Sequence, residues 1–203
     1  MQDDSLVLLE YKANMFTAET KYSGDHELLV DEIEKKLVRD KAESKKKGVE
    51  QLADAVTQIF GTATRTPVTD LDLRGITKVY PLLVTFDGIG GSLLISPLLN
   101  HYFSDFMSGR KIDQVEVKPL LCADVESIEE ISGCFQRMSL AGFLDFWLSK
   151  DPNFMATITA FTVPELEGNQ DRRMAREWHT LSSKISERLF PEEHAAAQRM
   201  KNL

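Results

Sequence analysis

The sequence is short of cysteine and histidine and has no excess of positive charge, and each shortage removes a class of protein. Its two cysteines, Cys122 and Cys134, sit in apolar segments without the close pairing or histidine partners of a zinc site. They read as reduced core residues rather than a disulfide framework. The four histidines, His26, His101, His179 and His194, are scattered without metal-ligand spacing, which leaves them solvent or helix-surface roles. Acidic residues outnumber basic ones by 32 to 24, giving a formal net charge of -8, too acidic for a chain that coats nucleic acid electrostatically. Any nucleic-acid surface must therefore be local. The longest apolar region, Val79 to Phe103, is broken by Pro81, Asp87, three glycines and Pro97, so no membrane span is expected. Met1-Gln-Asp-Asp4 has neither the basic start nor the apolar run of a signal peptide, and a cytoplasmic location is the expectation.

Common phosphate and nucleophile motifs are missing too. Asp87-Gly-Ile-Gly-Gly-Ser92 is a glycine-rich turn, but it lacks both the Gly-Lys-Ser/Thr ending of a phosphate loop and the Gly-x-Gly-x-x-Gly dinucleotide fingerprint. Ser92 does not sit in a Gly-x-Ser-x-Gly elbow. There is no internal repeat and no low-complexity tract. What the chain does have is an ordinary globular balance, 42% hydrophobic and 28% charged residues over 203 positions, enough for one sizeable core.

Hydrophobic periodicity then sets out the elements. Leu6-Val-Leu-Leu-Glu-Tyr-Lys-Ala13 reads as a strand, followed by a partly apolar loop from Asn14 to Asp25. A helix is expected from His26 with Asp25 as its N-cap. The charged run onward to Lys47 reads as a solvated helix face. Val49, Leu52, Ala53, Val56, Ile59 and Phe60 form a clear helical stripe ended by Gly61. Lys78 to Phe86 suits a strand buried on both faces. Further expectations are a helix from Pro97 to Met107, a strand from Gln114 to Ala123, a helix opened by a Ser127/Glu130 capping box, and a helix from Ser139 to Lys150. Thr157 to Val163 is compatible with strand or helix. A long helix is expected from Gln170 to Leu189, with a short one after Pro191.

The first strand is unusual. Residues two apart on a strand share a face, so Glu10 and Lys12 project together while Leu9 and Tyr11 face the other way. Two opposite charges within a Leu/Val strand are costly to bury unless they are paired or bound to a further ion. The plain alternative is an edge-strand ion pair facing water, which needs no function.

Strand with Glu-x-Lys, loop, helix and second buried strand resemble the PD-(D/E)xK nuclease superfamily. The matching pieces are Glu10-Tyr-Lys12, the helix Gly48 to Phe60 and the strand Val79 to Phe86. The resemblance implies that Glu10 holds a divalent metal, usually Mg²⁺, and that Lys12 orients or activates water and stabilises phosphate charge. It also implies that Gln51 is an accessory active-site residue. On a helical wheel, however, Gln51 lies roughly opposite the Val49/Val56 stripe, so the wheel alone places it toward solvent. The superfamily's metal-binding aspartate lies on a preceding strand, and only Met1 to Ser5 precedes the Glu-x-Lys strand. The resemblance therefore implies a core that lacks its N-terminal part or receives it from another chain.

The expected architecture is α/β: a mixed central sheet flanked by helices, with a nuclease-like core over residues 1–125 and a helical C-terminal region over residues 126–203 packed on it. The expected activity is metal-dependent hydrolysis of DNA phosphodiesters, or a form inactive for want of the upstream aspartate. The rival is a non-catalytic domain that joins a partner or a second copy through its helical tail, at Met174, Trp178 and Leu181. An enzyme built on the Asp87 turn is the third reading.

Overall fold

In a computed structural model of the chain, residues 4–61, 73, 75–113, 115–136 and 138–160 are described. The helices expected from Gln170 onward, with Met174, Trp178 and Leu181, lie outside these residues. Within them the protein is α/β, a central sheet with helices on both faces.

The middle of the sheet is β4 (Lys78–Thr85), apolar and buried along almost its whole length. On one side it pairs in parallel with β1 (Ser5–Lys12), in an unbroken register from Ser5 opposite Lys78 to Lys12 opposite Thr85. On the other side two short parallel strands share it: β5 (Glu116–Val117) meets Lys78 and Val79, and β6 (Leu121–Asp124) meets Leu82 to Thr85. A single strand from Gln114 to Ala123 was the expectation. Instead it arrives in two pieces. The break runs through Lys118-Pro119-Leu120 and falls beside Tyr80 and Pro81 of β4, so both prolines that lack a ladder donor meet there. Side chains then take over from the ladder: Asn100 accepts from Leu120 N–H at 2.8 Å, and Ser96 accepts from Cys122 N–H at 2.9 Å.

Between β1 and β4 the chain makes α1 (Ala18–Tyr22), α2 (His26–Ile33), a five-residue π turn (Glu34–Val38), the strands β2 (Arg39–Asp40) and β3 (Lys45–Lys46), and α3 (Gly48–Phe60). Asp25 caps α2 as expected, accepting from the N–H groups of Glu27 and Leu28. The short α1 was not expected; Thr17 caps it and Phe16 beside it is core. Beyond the π turn the charged run is an antiparallel hairpin rather than a helix face. Leu37 and Val38 are buried before it, Arg39 forks onto buried Glu50, and the buried Asp40 carboxylate accepts from Ala42 and Glu43 N–H to shape the turn. Those fixed partners outweigh helical charge pairs of about 0.2 to 0.5 kcal/mol each.

Helix α3 crosses one face of the sheet as its stripe requires. Val49, Leu52, Ala53 and Val56 are buried against Leu83 and Leu8, with α4 (Ile95–Met107) beside them through Leu99 and Phe103. Each Val, Leu or Phe among them contributes about 1.5 to 3 kcal/mol of burial. The opposite face carries α5 (Val125–Ile131) and α6 (Leu140–Lys150), which cover Tyr80, Leu82 and Val84 with Ile131, Phe143, Leu144 and Trp147. These aromatics are core, as expected. The cap of α5 lies three residues earlier than the Ser127 box: Asp124 is the N-cap and accepts from Ser127 N–H at 2.7 Å. Both cysteines are free and buried, and burial pushes the Cys122 thiol above its ordinary range. No helix among the described residues is long and apolar enough to cross a membrane.

Candidate active site

Strand β1 alternates as its sequence requires. Leu8 packs with the α3 layer, Val7 with the α6 layer, and beyond them Glu10 and Lys12 emerge on the α3 side near the strand's C-terminal end. Lys12 Nζ lies 2.6 Å from Glu10 Oε1 and donates at 2.6 Å to Gln51 Oε1, across 39 residues of chain. The ammonium is therefore held between a carboxylate of its own strand and an amide oxygen from α3. Its side chain is 16% exposed and that of Glu10 31%, so the group faces solvent from a recess rather than from an open surface.

Gly48 makes the recess. A methyl group at this first residue of α3 would come within 2.6 Å of Leu83 Cδ1 and 3.2 Å of Lys12 Cε. Any side chain here would have to displace the Leu83 methyl, and the lysine stem passes over the bare position. The wheel argument for Gln51 was half right. Its backbone position is on the exposed side of α3, but it sits in the first turn, where the helix end overhangs the end of β1. A long amide side chain spans the remaining gap. The site joins Glu10, Lys12 and Gln51, the three residues singled out from the sequence; Gly48 is the one sequence reasoning missed, and its place directly before the Val49 stripe was the available sign.

The remaining candidates separate from this group. Asp4 stands at the other end of β1, where its side chain accepts from Thr77 and its carbonyl from Thr77 and Lys78 N–H. Six residues of strand place it about 20 Å from Glu10. Asp87, in the glycine-rich turn, is fully buried: it accepts from Phe16 N–H at 2.9 Å and Ile89 N–H at 3.1 Å and pairs with Lys21 at 2.7 Å. Burial raises its pKa, but Lys21 and the two N–H groups outweigh that and hold the carboxyl below its ordinary value. Both carboxylate oxygens have partners. These bonds make the turn a structural clamp between the loop after β1 and the end of β4. His101 is an exposed helix residue 3.8 Å from Asp105, in keeping with a surface role.

Among the described residues no three His, Cys, Asp or Glu side chains group together as a metal cage. The donor set at the recess is one carboxylate and one amide oxygen, both 2.6 Å from the same ammonium. That set does not enclose a dehydrated cation. Mg²⁺ differs in that it is bound through as few as one or two carboxylates and completes its octahedron with water and substrate phosphate oxygens. Glu10 is the residue that would hold it. Comparison with protein-family models, with curated proteins and with solved structures finds no match for this chain.

Proposed function

We propose that the Glu10, Lys12 and Gln51 recess is a phosphodiester-hydrolysing site of the PD-(D/E)xK nuclease type, acting on DNA with Mg²⁺ bound at Glu10. The observation that carries this reading is the ammonium of Lys12, seated between oxygens of two separate elements over the bare backbone of Gly48. A surface ion pair needs neither a third partner nor a glycine floor.

Hydrolysis adds water across a P–O ester bond, and the phosphate gains negative charge on the way. Lys12 supplies a fixed positive group to those oxygens, and its place on a rigid strand means little reorganisation is needed when the charge develops. Gln51 accepts one of the three ammonium N–H bonds and Glu10 engages the ammonium from the other side, which orients Lys12 and leaves it a proton to offer substrate. Bound Mg²⁺ would supply Lewis-acid stabilisation of the same charge.

Cleavage of supercoiled plasmid in Mg²⁺ or Mn²⁺ tests the reading. Lys12→Ala is expected to slow cutting by about 100-fold or more, the usual cost of removing one transition-state donor. Glu10→Ala is expected to abolish Mg²⁺-dependent cutting, with the far-ultraviolet spectrum of each variant unchanged. Undiminished cutting in either variant sinks the assignment.

A second reading keeps the scaffold without the chemistry, as an interaction domain. It is favoured by the other face of β1, where Leu9 and Tyr11 are 53% and 47% exposed and Phe86 follows the neighbouring strand with 56% exposure. On that reading Leu9→Ser/Tyr11→Ser reduces association in sedimentation runs while Lys12→Ala changes nothing.

A further inference from the structure

The β2–β3 hairpin is a basic element in an acidic protein. From Arg39 to Lys47 it has five basic residues and two acids, a net of +3, so the rest of the chain sums to -11 against the total of -8. Its shape is built rather than incidental. Arg39 is the anchor, forked onto buried Glu50 with its guanidinium 5.2 Å from the centre of the Phe106 ring. Asp40 is buried and spends its carboxylate on the turn, and Ser44 takes a left-handed φ of 51° to close it. The turn therefore exposes lysines: Lys41, Lys45 and Lys46. Their partners are Glu34, Glu43 and Asp54. The lysine ends of all three pairs are exposed; the Lys45–Glu43 pair is open at both ends and is worth about 0 to 1 kcal/mol, while Glu34 and Asp54 are more enclosed.

The hairpin also leads straight into the recess. Lys47 N–H is bonded to Val38 O at 3.3 Å, Gly48 follows as the floor beneath Lys12, and Gln51 N–H is bonded to Lys47 O at 2.8 Å. The end of the hairpin at Lys47 is thus one helical turn of chain from Gln51. We infer that the β2–β3 hairpin is the docking surface for a nucleic-acid phosphodiester backbone, with Lys41, Lys45 and Lys46 neutralising phosphates beside the recess. The inference deepens the nuclease reading and rests on it for what happens to the docked strand, while the docking itself is tested separately.

The test is fluorescence anisotropy of a labelled duplex of about 20 base pairs, as DNA and as RNA of the same sequence, titrated with the full chain in EDTA over a range of salt. The wild type is expected to bind one or both duplexes. Lys41→Ala/Lys45→Ala/Lys46→Ala is expected to bind at least 10-fold more weakly, with the slope of log K against log salt shallower by about 2 to 3, since each phosphate neutralised contributes about 0.9. A control with the same charge change elsewhere, Lys111→Ala/Lys118→Ala/Lys150→Ala, is expected to stay within about 2-fold. The tighter duplex identifies the polymer. The inference is overturned if the wild type binds neither duplex, if the hairpin variant matches the wild type, if the control loses as much, or if polyglutamate competes as well as nucleic acid. No cleavage occurs in EDTA. A chain that docks through the hairpin yet never cuts in Mg²⁺ would therefore sink the nuclease reading alone, and a chain that cuts with an unimpaired hairpin variant would sink this inference alone.

Discussion

Two carboxylate–lysine pairs follow parallel strands of the same sheet, Glu10 with Lys12 at the end of β1 and Asp87 with Lys21 just beyond β4, and they are put to opposite uses. Asp87 is wholly buried and its oxygens are taken by Lys21 and two backbone N–H groups. It ties the loop after β1 to the turn after β4. Glu10 and Lys12 are partly open, and their third partner is a side chain rather than backbone. A buried carboxylate fixed by two backbone N–H groups as well as a lysine is structural, whereas a partly open one paired only with side chains can exchange partners with a ligand. Sequence alone separates the two only through the company they keep, since an Asp before glycines looks as functional as a Glu within a strand.

The contrast is most severely tested at Asp87. Asp87→Ala leaves two buried N–H groups and a lysine without their acceptor, and the urea midpoint should fall by an amount equivalent to about 3 to 5 kcal/mol. A loss below about 1 kcal/mol would mean that Asp87 is no clamp. The same residue gives a pH signature. Its folded pKa lies below the ordinary value of 3.8, so its contribution is present above about pH 4 and is lost as pH falls through the folded value. Asp87→Asn should therefore weaken the protein at pH 7 and flatten its loss of stability below pH 4, read from urea midpoints along a pH series.

Gly48 comes next. Gly48→Ala forces the new methyl group against Leu83 and the stem of Lys12, at an expected cost of about 1 to 3 kcal/mol in thermal or urea unfolding. Any cleavage activity should fall further than stability does, because the group displaced is Lys12. Unchanged stability and activity together would show that the recess has no need of a bare floor. The smallest effect belongs to the candidate site itself. Glu10→Ala and Gln51→Ala should each change unfolding free energy by no more than about 1 kcal/mol, as expected of a partly exposed pair. A loss of 3 kcal/mol at either would make this group a second clamp and erase the contrast with Asp87.

Much of this arrangement is legible in the sequence, for reasons that differ by element. The alternation in β1, the Val49 stripe of α3 and the unbroken apolar run of β4 are strong periodic signals, and each became the element it indicated. The hairpin was illegible because its cause is distant: Arg39 is fixed by Glu50 from α3 and Phe106 from α4. The split of β5 from β6 depended on what β4 offers opposite Pro119. Gln51 shows the same limit at the site. A helical wheel gives the angle of a residue about the helix axis, but not where that axis ends relative to the sheet.

The register of β1 against β4 has a consequence for how the molecule comes into being. Every pairing in that ladder joins residues 73 positions apart, from Ser5 with Lys78 to Lys12 with Thr85. Closing so long a loop is entropically expensive and makes such parallel pairing slow. On the ribosome, the Glu10–Lys12 strand is made before its neighbour and can pair with it only after Thr85 has left the exit tunnel. The lysine group therefore completes only once β4 is available, and a chain interrupted anywhere before β4 carries the charged strand without the neighbour it pairs with.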